Sequence, residues 1–423
     1  MGKKTILNIN NELLVFITVI YYTSKLLWDS LIPYAFTLGF FGISMLLAFF
    51  YIYLYRISIS EVLIFLFFFV FAFYVICNGF YQDQLSQFYR AIYEYIIYAF
   101  PFFLVLFCLP FTNIYRLSER IVKWGVFIGI LSWVEYFSKS YISHVPKSGN
   151  GILYGGNHAF RAVVFSRSEL AHGMILGFFA VIAFSLFLRK QSLKRLMCTF
   201  FLFASILTTS SRGPLVSAAG AIVIMYILYV ALIENNPQKK IMATLILLIV
   251  MILGIFILLS DFQTGNETIN YFLLRLRNII NWNSDAGNVG RLSRWNWALS
   301  LFRRNPIFGI GPSKTGSWGA GSMGVTESGV LKRLCELGIV GFVLHYMFIF
   351  ITIIMSLRKV AYLDNGHNVS MIMFLGLLSL VLINDCILQS TEEPAVCFIM
   401  WFALAGMIYL HDLDGLKSFD YGM

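Results

Sequence analysis

An all-α integral membrane protein that crosses the bilayer many times is the fold class this sequence predicts, on three observations. Of its 423 residues, 59% are hydrophobic and only 12% charged, whereas soluble domains carry about 25% charged side chains. Mean hydropathy is +0.78. Apolar runs long enough to cross a bilayer as helices, about 20 residues each, recur along the whole chain. A soluble globular protein is thereby excluded, and 1–423 reads as a single transmembrane domain with no soluble module attached.

Taken in order, hydropathy places helices near 12–28, 31–55, 60–78, 88–109, 120–138, 169–188, 196–210, 214–233, 241–260, 330–356, 369–386 and 394–411. The total is about 12 transmembrane helices. Met1-Gly-Lys-Lys leads into the first run without a small-residue cleavage site, which reads as an uncleaved first helix. The six cysteines are scattered among apolar neighbours without a CxxC pair and read as small buried hydrophobes.

Lys plus Arg number 31 against 21 Asp plus Glu, giving +10. Part of that excess marks cytoplasmic loops, so the charge names no partner and no nucleic acid is expected. With both ends in the cytoplasm, the inside set includes Lys3, Lys4, Arg56, Arg116, Arg120, Lys123, Arg189, Lys190, Lys194, Arg195, Lys239, Lys240, Arg358, Lys359 and Lys417. The outer turns are short and poor in cations except for two segments, 139–168 and a long loop over 261–329. These hold Arg161, Arg167, Arg291, Arg294, Arg303, Arg304 and others, a set suited to an anion. Long loops in a tight bundle are usually functional or disordered, and the Trp, Gly and Arg content of the second, with a helix-like stretch at 291–304, argues against disorder. No internal repeat or inverted symmetry is evident.

Three constellations carry candidate chemistry. Ser210-Ser211-Arg212-Gly213-Pro214 joins two helices at the outer side. Hydroxyls, a guanidinium and a helix N-terminus make a phosphate grip; an interfacial arginine snorkelling to lipid headgroups is the other reading. In the second, Gly290-Arg291 to Pro312, Arg291, Arg294 and Trp295 share one helical face. That face suits either a substrate anion or an amphipathic helix on anionic lipid. Asn305-Pro306 ends this helix and Gly309-Ile-Gly311-Pro312 makes a tight turn. In the third, Val325-Thr326-Glu327-Ser328-Gly329 sets a carboxylate at the mouth of the helix containing Glu336-Leu-Gly338-Ile-Val-Gly341. Glu327 can serve as a general base, orient a hydroxyl, or pair with an arginine. Glu392 and Glu393 before Pro394 have the same ambiguity. His158 and His172, fourteen residues apart without a third ligand, make a weak metal site. With no phosphate-binding glycine loop, no HExxH and no nucleophile elbow, neither a metal nor a nucleotide cofactor is expected.

In this order, Ser-Arg-Gly, Gly-Arg-x-x-x-Trp, Asn-Pro-x-x-Gly-x-Gly-Pro and Glu-Leu-Gly-Ile-Val-Gly resemble the O-antigen ligase and polymerase superfamily, most strongly over about 205–345. The resemblance implies a GT-C-type glycosyltransferase of a bacterial inner membrane, with its site facing the periplasm. It implies transfer of glycan from an undecaprenyl-diphosphate-linked oligosaccharide, without metal or nucleotide, among membrane lipids and with a chain-length regulator protein as a candidate partner. Arg212 and Arg291 match the superfamily's diphosphate-binding arginines. Arg294 joins them by helical spacing, and Ser211, Arg161 and Trp295 complete the expected substrate-binding set. Ligases of the superfamily have a His, commonly followed by Asn, where this chain has Glu327-Ser328. The Wzy-type polymerase branch varies more there, so polymerisation of lipid-linked O-antigen or capsular repeat units is the favoured activity, with Glu327, Arg291 and Arg212 as the catalytic set. Ligation to lipid A-core and transport of the lipid-linked glycan are the alternatives.

Overall fold

A computed structural model describes residues 2–24, 59–81, 85–142, 160–234, 236–238, 241, 286–316, 324–364 and 366–411. Among the described residues all regular structure is helical. The α-helices are α1 (Gly2–Thr23), α2 (Ile59–Tyr81), α3 (Leu85–Tyr95), α4 (Pro101–Cys108), α5 (Ile114–Ser138) and α6 (Glu169–Arg189). They continue as α7 (Leu193–Ser205), α8 (Arg212–Leu232), α9 (Ala286–Arg304), α10 (Gly329–Val360), α11 (His367–Ile387) and α12 (Pro394–His411). Seven described segments are long and apolar enough to cross a membrane, namely Phe88–Cys108, α5, α6, α8, α10, α11 and α12. The predicted helix at 31–55, all but Ile241 of the one at 241–260, loop residues 261–285 and 317–323, and His158 lie outside the described residues.

Local sequence explains where the helices begin and break. Asn113, Ser168, Ser192 and Ser328 each cap a helix, accepting from the amides of Arg116, Ala171, Arg195 and Leu331 at 3.1, 3.2, 3.4 and 3.3 Å. The stretch expected as one helix over 88–109 is instead interrupted by a tight turn at Ile97–Ala99. Pro101 lacks the amide that would continue the ladder, and it opens α4. The helix expected over 196–210 tightens into a 3-10 turn at Ile206–Thr209 and stops at Ser210, which is left-handed at φ 50°. The cysteines divide: Cys108, Cys335 and Cys397 are buried and Cys198 half-buried, but Cys77 and Cys386 are exposed. Inside a bilayer a small apolar side chain has no need of a protein interior.

α6 and α12 are buried nearly throughout, while α5, α8 and α10 leave most of their apolar surface outside the bundle. This is the distribution expected when lipid solvates the outer faces. Close approach is set by glycine pockets, as membrane helix contacts favour. A methyl group at Gly376 would strike Met225, and one at Gly406 would strike the Phe374 ring. Much of the aromatic excess fills the core: Trp401 meets Phe68, Phe102 and Phe348 at centroid distances of 5.5, 5.6 and 5.6 Å.

One joint matters for the site. α10 is broken at Gly338, with φ 61° and ψ −172°, and the turn after α9 plugs the break. The amides of Ile310 and Gly311 donate to the carbonyls of Cys335 and Glu336, both at 2.9 Å, while Ile339 N–H donates to Pro306 O at 2.9 Å. Tyr74 Oη donates to Leu337 O at 2.5 Å, and Asn78 Nδ2 to Phe308 O at 2.8 Å. Broken backbone is tolerated at membrane depth only where protein satisfies it, and here Asn-Pro-x-x-Gly-x-Gly-Pro supplies the partners for Glu-Leu-Gly. Gly309 has φ +73° and lies against Glu336 O, where a side chain has no room.

The starts of α6, α8, α10 and α12 gather at one end. Ser168 Oγ lies 3.5 Å from Glu393 Oε1, Gly173 is packed against Pro214 and Thr209, and the Gly329 amide points to Leu388 O at 3.4 Å. Arg116, Arg189, Lys190, Lys194, Arg195, Arg358 and Lys359, all expected on one side of the membrane, sit on helix ends that gather at the opposite end.

Candidate active site

At the first end, α9 and the segment before α10 bring four of the candidate residues together. α9 spans Ala286–Arg304 and ends just before Asn305-Pro306, as expected. Val289 near its start is exposed, but the apolar residues further along are packed. Ala298 and Leu301 are buried with Ile310 and Cys335, and Leu331 packs against them. That packing fixes the helix about its axis and delivers Arg291, Arg294 and Trp295 to Glu327. Arg294 donates to Glu327 Oε1, Arg291 Nε lies 3.8 Å from Glu327 Oε2, and Trp295 Nε1 donates to the Glu327 carbonyl at 3.1 Å. Glu327 is therefore already engaged by arginines. The Arg291, Arg294 and Glu327 side chains are 25%, 52% and 21% exposed, so the cluster is open to a ligand. Thr326 anchors the segment, its amide and hydroxyl donating to Gln389 Oε1 at 3.0 and 2.7 Å.

Arg212 opens α8 at the same end. Gly213 permits this placement, since a Cβ there would strike Leu388 and Asn384 of the α11 side. Leu388 also accepts from Gly329, and Gln389 holds Thr326, so the Arg212 junction and the Glu327 segment are built on the same stretch of chain. Ser211 stands at the N-cap without capping by its side chain; its hydroxyl lies 3.4 Å from Thr209 O. Arg161 takes a different place. It pairs with Glu169 at 2.5 Å, beside the 3.0 Å bond from Ala162 N–H to Thr208 O, and no described contact joins it to the Arg291 cluster. His172 is buried in α6, its Nε2 2.9 Å from Ser132 Oγ.

Beneath the cluster lies a buried charge network that the motif reading missed. Lys332 Nζ meets Glu94 Oε1 at 2.6 Å, bonds Glu392, and lies 4.0 Å from Glu336. Arg333 pairs with Asp385 and donates to Thr391 Oγ1 at 2.6 Å. Glu336 accepts from Tyr95 Oη at 2.6 Å and from the amides of Ser313 and Thr315 at 2.8 and 2.7 Å. Glu392 is thus settled as a buried ion-pair partner, and the loop after Pro312 is tied into α10. Glu393, beside Glu392, is half-buried. Burial lifts its carboxyl to about 7, against the pull of Arg167 and with a push from Glu392. Lys314 is shifted down by burial, against the attraction of Glu336. A usable signal existed in the sequence. Ionisable residues inside apolar helices are functional or structural markers by default, and Lys332-Arg333 sits one turn into the longest such helix.

No curated protein matches this chain. Residues 197–346 match the family model described as O-antigen ligase, a segment running from α7 into α10 and carrying Arg212, α9, the plugged break and Glu327. Over that segment, about a third of its length, this multi-helix chain is similar to the O-antigen ligase family, whose members transfer glycans.

Proposed function

We propose that the protein is an O-antigen or capsular polysaccharide polymerase of the GT-C type, working at the periplasmic face of a bacterial inner membrane. The observation that carries this reading is the placement of Glu327 between Arg291 and Arg294, on the end of the bundle that also holds Arg212. The cation-rich opposite end supports a cytoplasmic orientation for that side.

In this mechanism the growing glycan arrives on undecaprenyl diphosphate. Its diphosphate takes the guanidinium donors of Arg291 and Arg212, with Arg294 at the rim, because guanidinium binds phosphate oxygens in pairs. The diphosphate displaces the Glu327 carboxylate, which becomes free to accept a proton. A hydroxyl of the incoming lipid-linked repeat unit attacks the anomeric carbon, its proton passes to Glu327, and the bond from that carbon to the diphosphate oxygen breaks. The arginines stabilise the charge on the departing diphosphate, the kind of preorganised assistance that commonly dominates transfer chemistry. Neither metal nor nucleotide enters. Trp295 positions the Glu327 carbonyl, and a chain-length regulator protein is the expected partner.

The matched family is described as a ligase, which favours a second reading, transfer to lipid A-core. Purified protein supplied with a synthetic undecaprenyl-diphosphate repeat unit separates the two. A ladder of products without lipid A-core supports polymerisation; transfer only when lipid A-core is added supports ligation; no transfer with either acceptor contradicts both.

A further inference from the structure

At the end opposite Glu327 a cavity of roughly 250 Å³ is lined by Asn113, Tyr115, Arg189, His367, Ser370 and Tyr409, among others, and no carboxylate lines it. We infer that this cavity is a second anion site, which takes a single phosphate group, either the headgroup phosphate of a lipid or a free phosphate.

Two arginines meet Tyr115 here and differ in a way that singles out one of them. Arg195 is engaged, its guanidinium bonding Tyr115 Oη, Leu186 O at 2.9 Å and Glu119 at 3.2 Å. Arg189 stacks its guanidinium over the Tyr115 ring at 4.6 Å and meets no carboxylate among the described residues. Stacking uses the flat face of the guanidinium and leaves its in-plane N–H donors for oxygen atoms. Gly366 lets it come close to the start of α11, since a Cβ there would stand 2.8 Å from Arg189 Nη2. The first amides of α5 face no acceptor in their own helix and add positive potential beside it.

Tyr409 points to a ligand independently. It is 7% exposed, lines the cavity, and its hydroxyl makes no hydrogen bond to any described residue. The side chain is held by the core while its hydroxyl keeps a donor that a phosphate oxygen in the cavity would accept. The cavity therefore offers an arginine, a tyrosine hydroxyl and helix amides, which suit one phosphate with its ester substituent. None of these residues belongs to the site built on Arg212, Arg291 and Glu327, so the inference is independent of the proposed polymerase chemistry.

The test uses the full-length protein in detergent, with affinity read from thermal-shift titrations of phosphatidylglycerol, inorganic phosphate and, as the phosphate-free control, diacylglycerol. Arg189→Gln, at an exposed side chain, should weaken binding about tenfold or more, and Tyr409→Phe by a smaller factor. Lys190→Gln, which removes an exposed neighbouring charge that does not line the cavity, should leave this binding unchanged. Binding of phosphatidylglycerol alone identifies a lipid headgroup, and binding of inorganic phosphate as well identifies a general phosphate site. Equal response to diacylglycerol, no response to either phosphate probe, or wild-type affinity in Arg189→Gln would overturn the proposal.

Discussion

Glu327 has a left-handed backbone, φ 55°, which costs a residue with a side chain about 1–2 kcal/mol. Trp295, Thr326 and the Ser328 cap hold it there, so its carboxylate is aimed at the arginines by the surrounding structure. Residue by residue, Arg212, Arg291, Arg294 and Glu327 were legible because charged groups beside helix ends stand out against apolar runs. Glu94, Lys332, Arg333 and Asp385 were not, since their meaning lies in pairings 238, 60 and 52 positions apart in the chain. Glu393 gives a residue-scale prediction. Its folded-state carboxyl titrates near 7, above the ordinary 4.5. Below the ordinary value both folded and unfolded chains hold the proton. Between the two values only the folded chain does, so stability should fall as pH rises through that window and level off above it. Thermal unfolding across pH 4–8 should show this slope in the wild type, and Glu393→Gln should flatten it. An unchanged slope in the variant would assign the dependence elsewhere.

At the scale of elements, the joint between the α9 turn and α10 turns two sequence motifs into one structure. Gly309 and Gly338 both have positive φ and both lie against backbone of the other segment. Gly338→Ala should therefore cost at least the left-handed penalty of about 1–2 kcal/mol, with the clash against Ile307 O adding to it. Gly290→Ala is the matched control: a Cβ there meets nothing within 4 Å, and in a helix alanine is favoured over glycine by about 1 kcal/mol. Melting temperatures in detergent should fall for the first and hold or rise for the second. The charge network makes a second prediction. Lys332→Met leaves Glu94, Glu336 and Glu392 without their shared cation and should destabilise the fold by about 3–5 kcal/mol. Adding Glu392→Gln should recover part of the loss, and a double variant no better than the single one would show that the pair is not coupled. Helix existence was readable from hydropathy. The breaks at Pro101 and Gly338 were not, because apolar windows average over them and the partners that satisfy the opened backbone come from distant sequence.

For the whole molecule, composition foretold the membrane, and the described cations of the predicted inner set do sit together at one end. The ordered motifs foretold the family-model match over 197–346. What the linear chain conceals is that Arg212, from the α8 start, and Glu327, before α10, rest on the same Leu388-Gln389 stretch after α11, so the site exists only once four separate segments are packed. The central claim is that Glu327 occupies its arginines until a diphosphate replaces it. Equilibrium binding of undecaprenyl diphosphate to wild type, Glu327→Gln and Arg291→Ala tests that claim most directly. Removing the competing negative charge should tighten binding in Glu327→Gln by about fivefold to tenfold, roughly 1–1.4 kcal/mol, while Arg291→Ala should weaken it. Binding to Glu327→Gln that is equal to or weaker than wild type would contradict the account, since the carboxylate would then not be competing with the diphosphate.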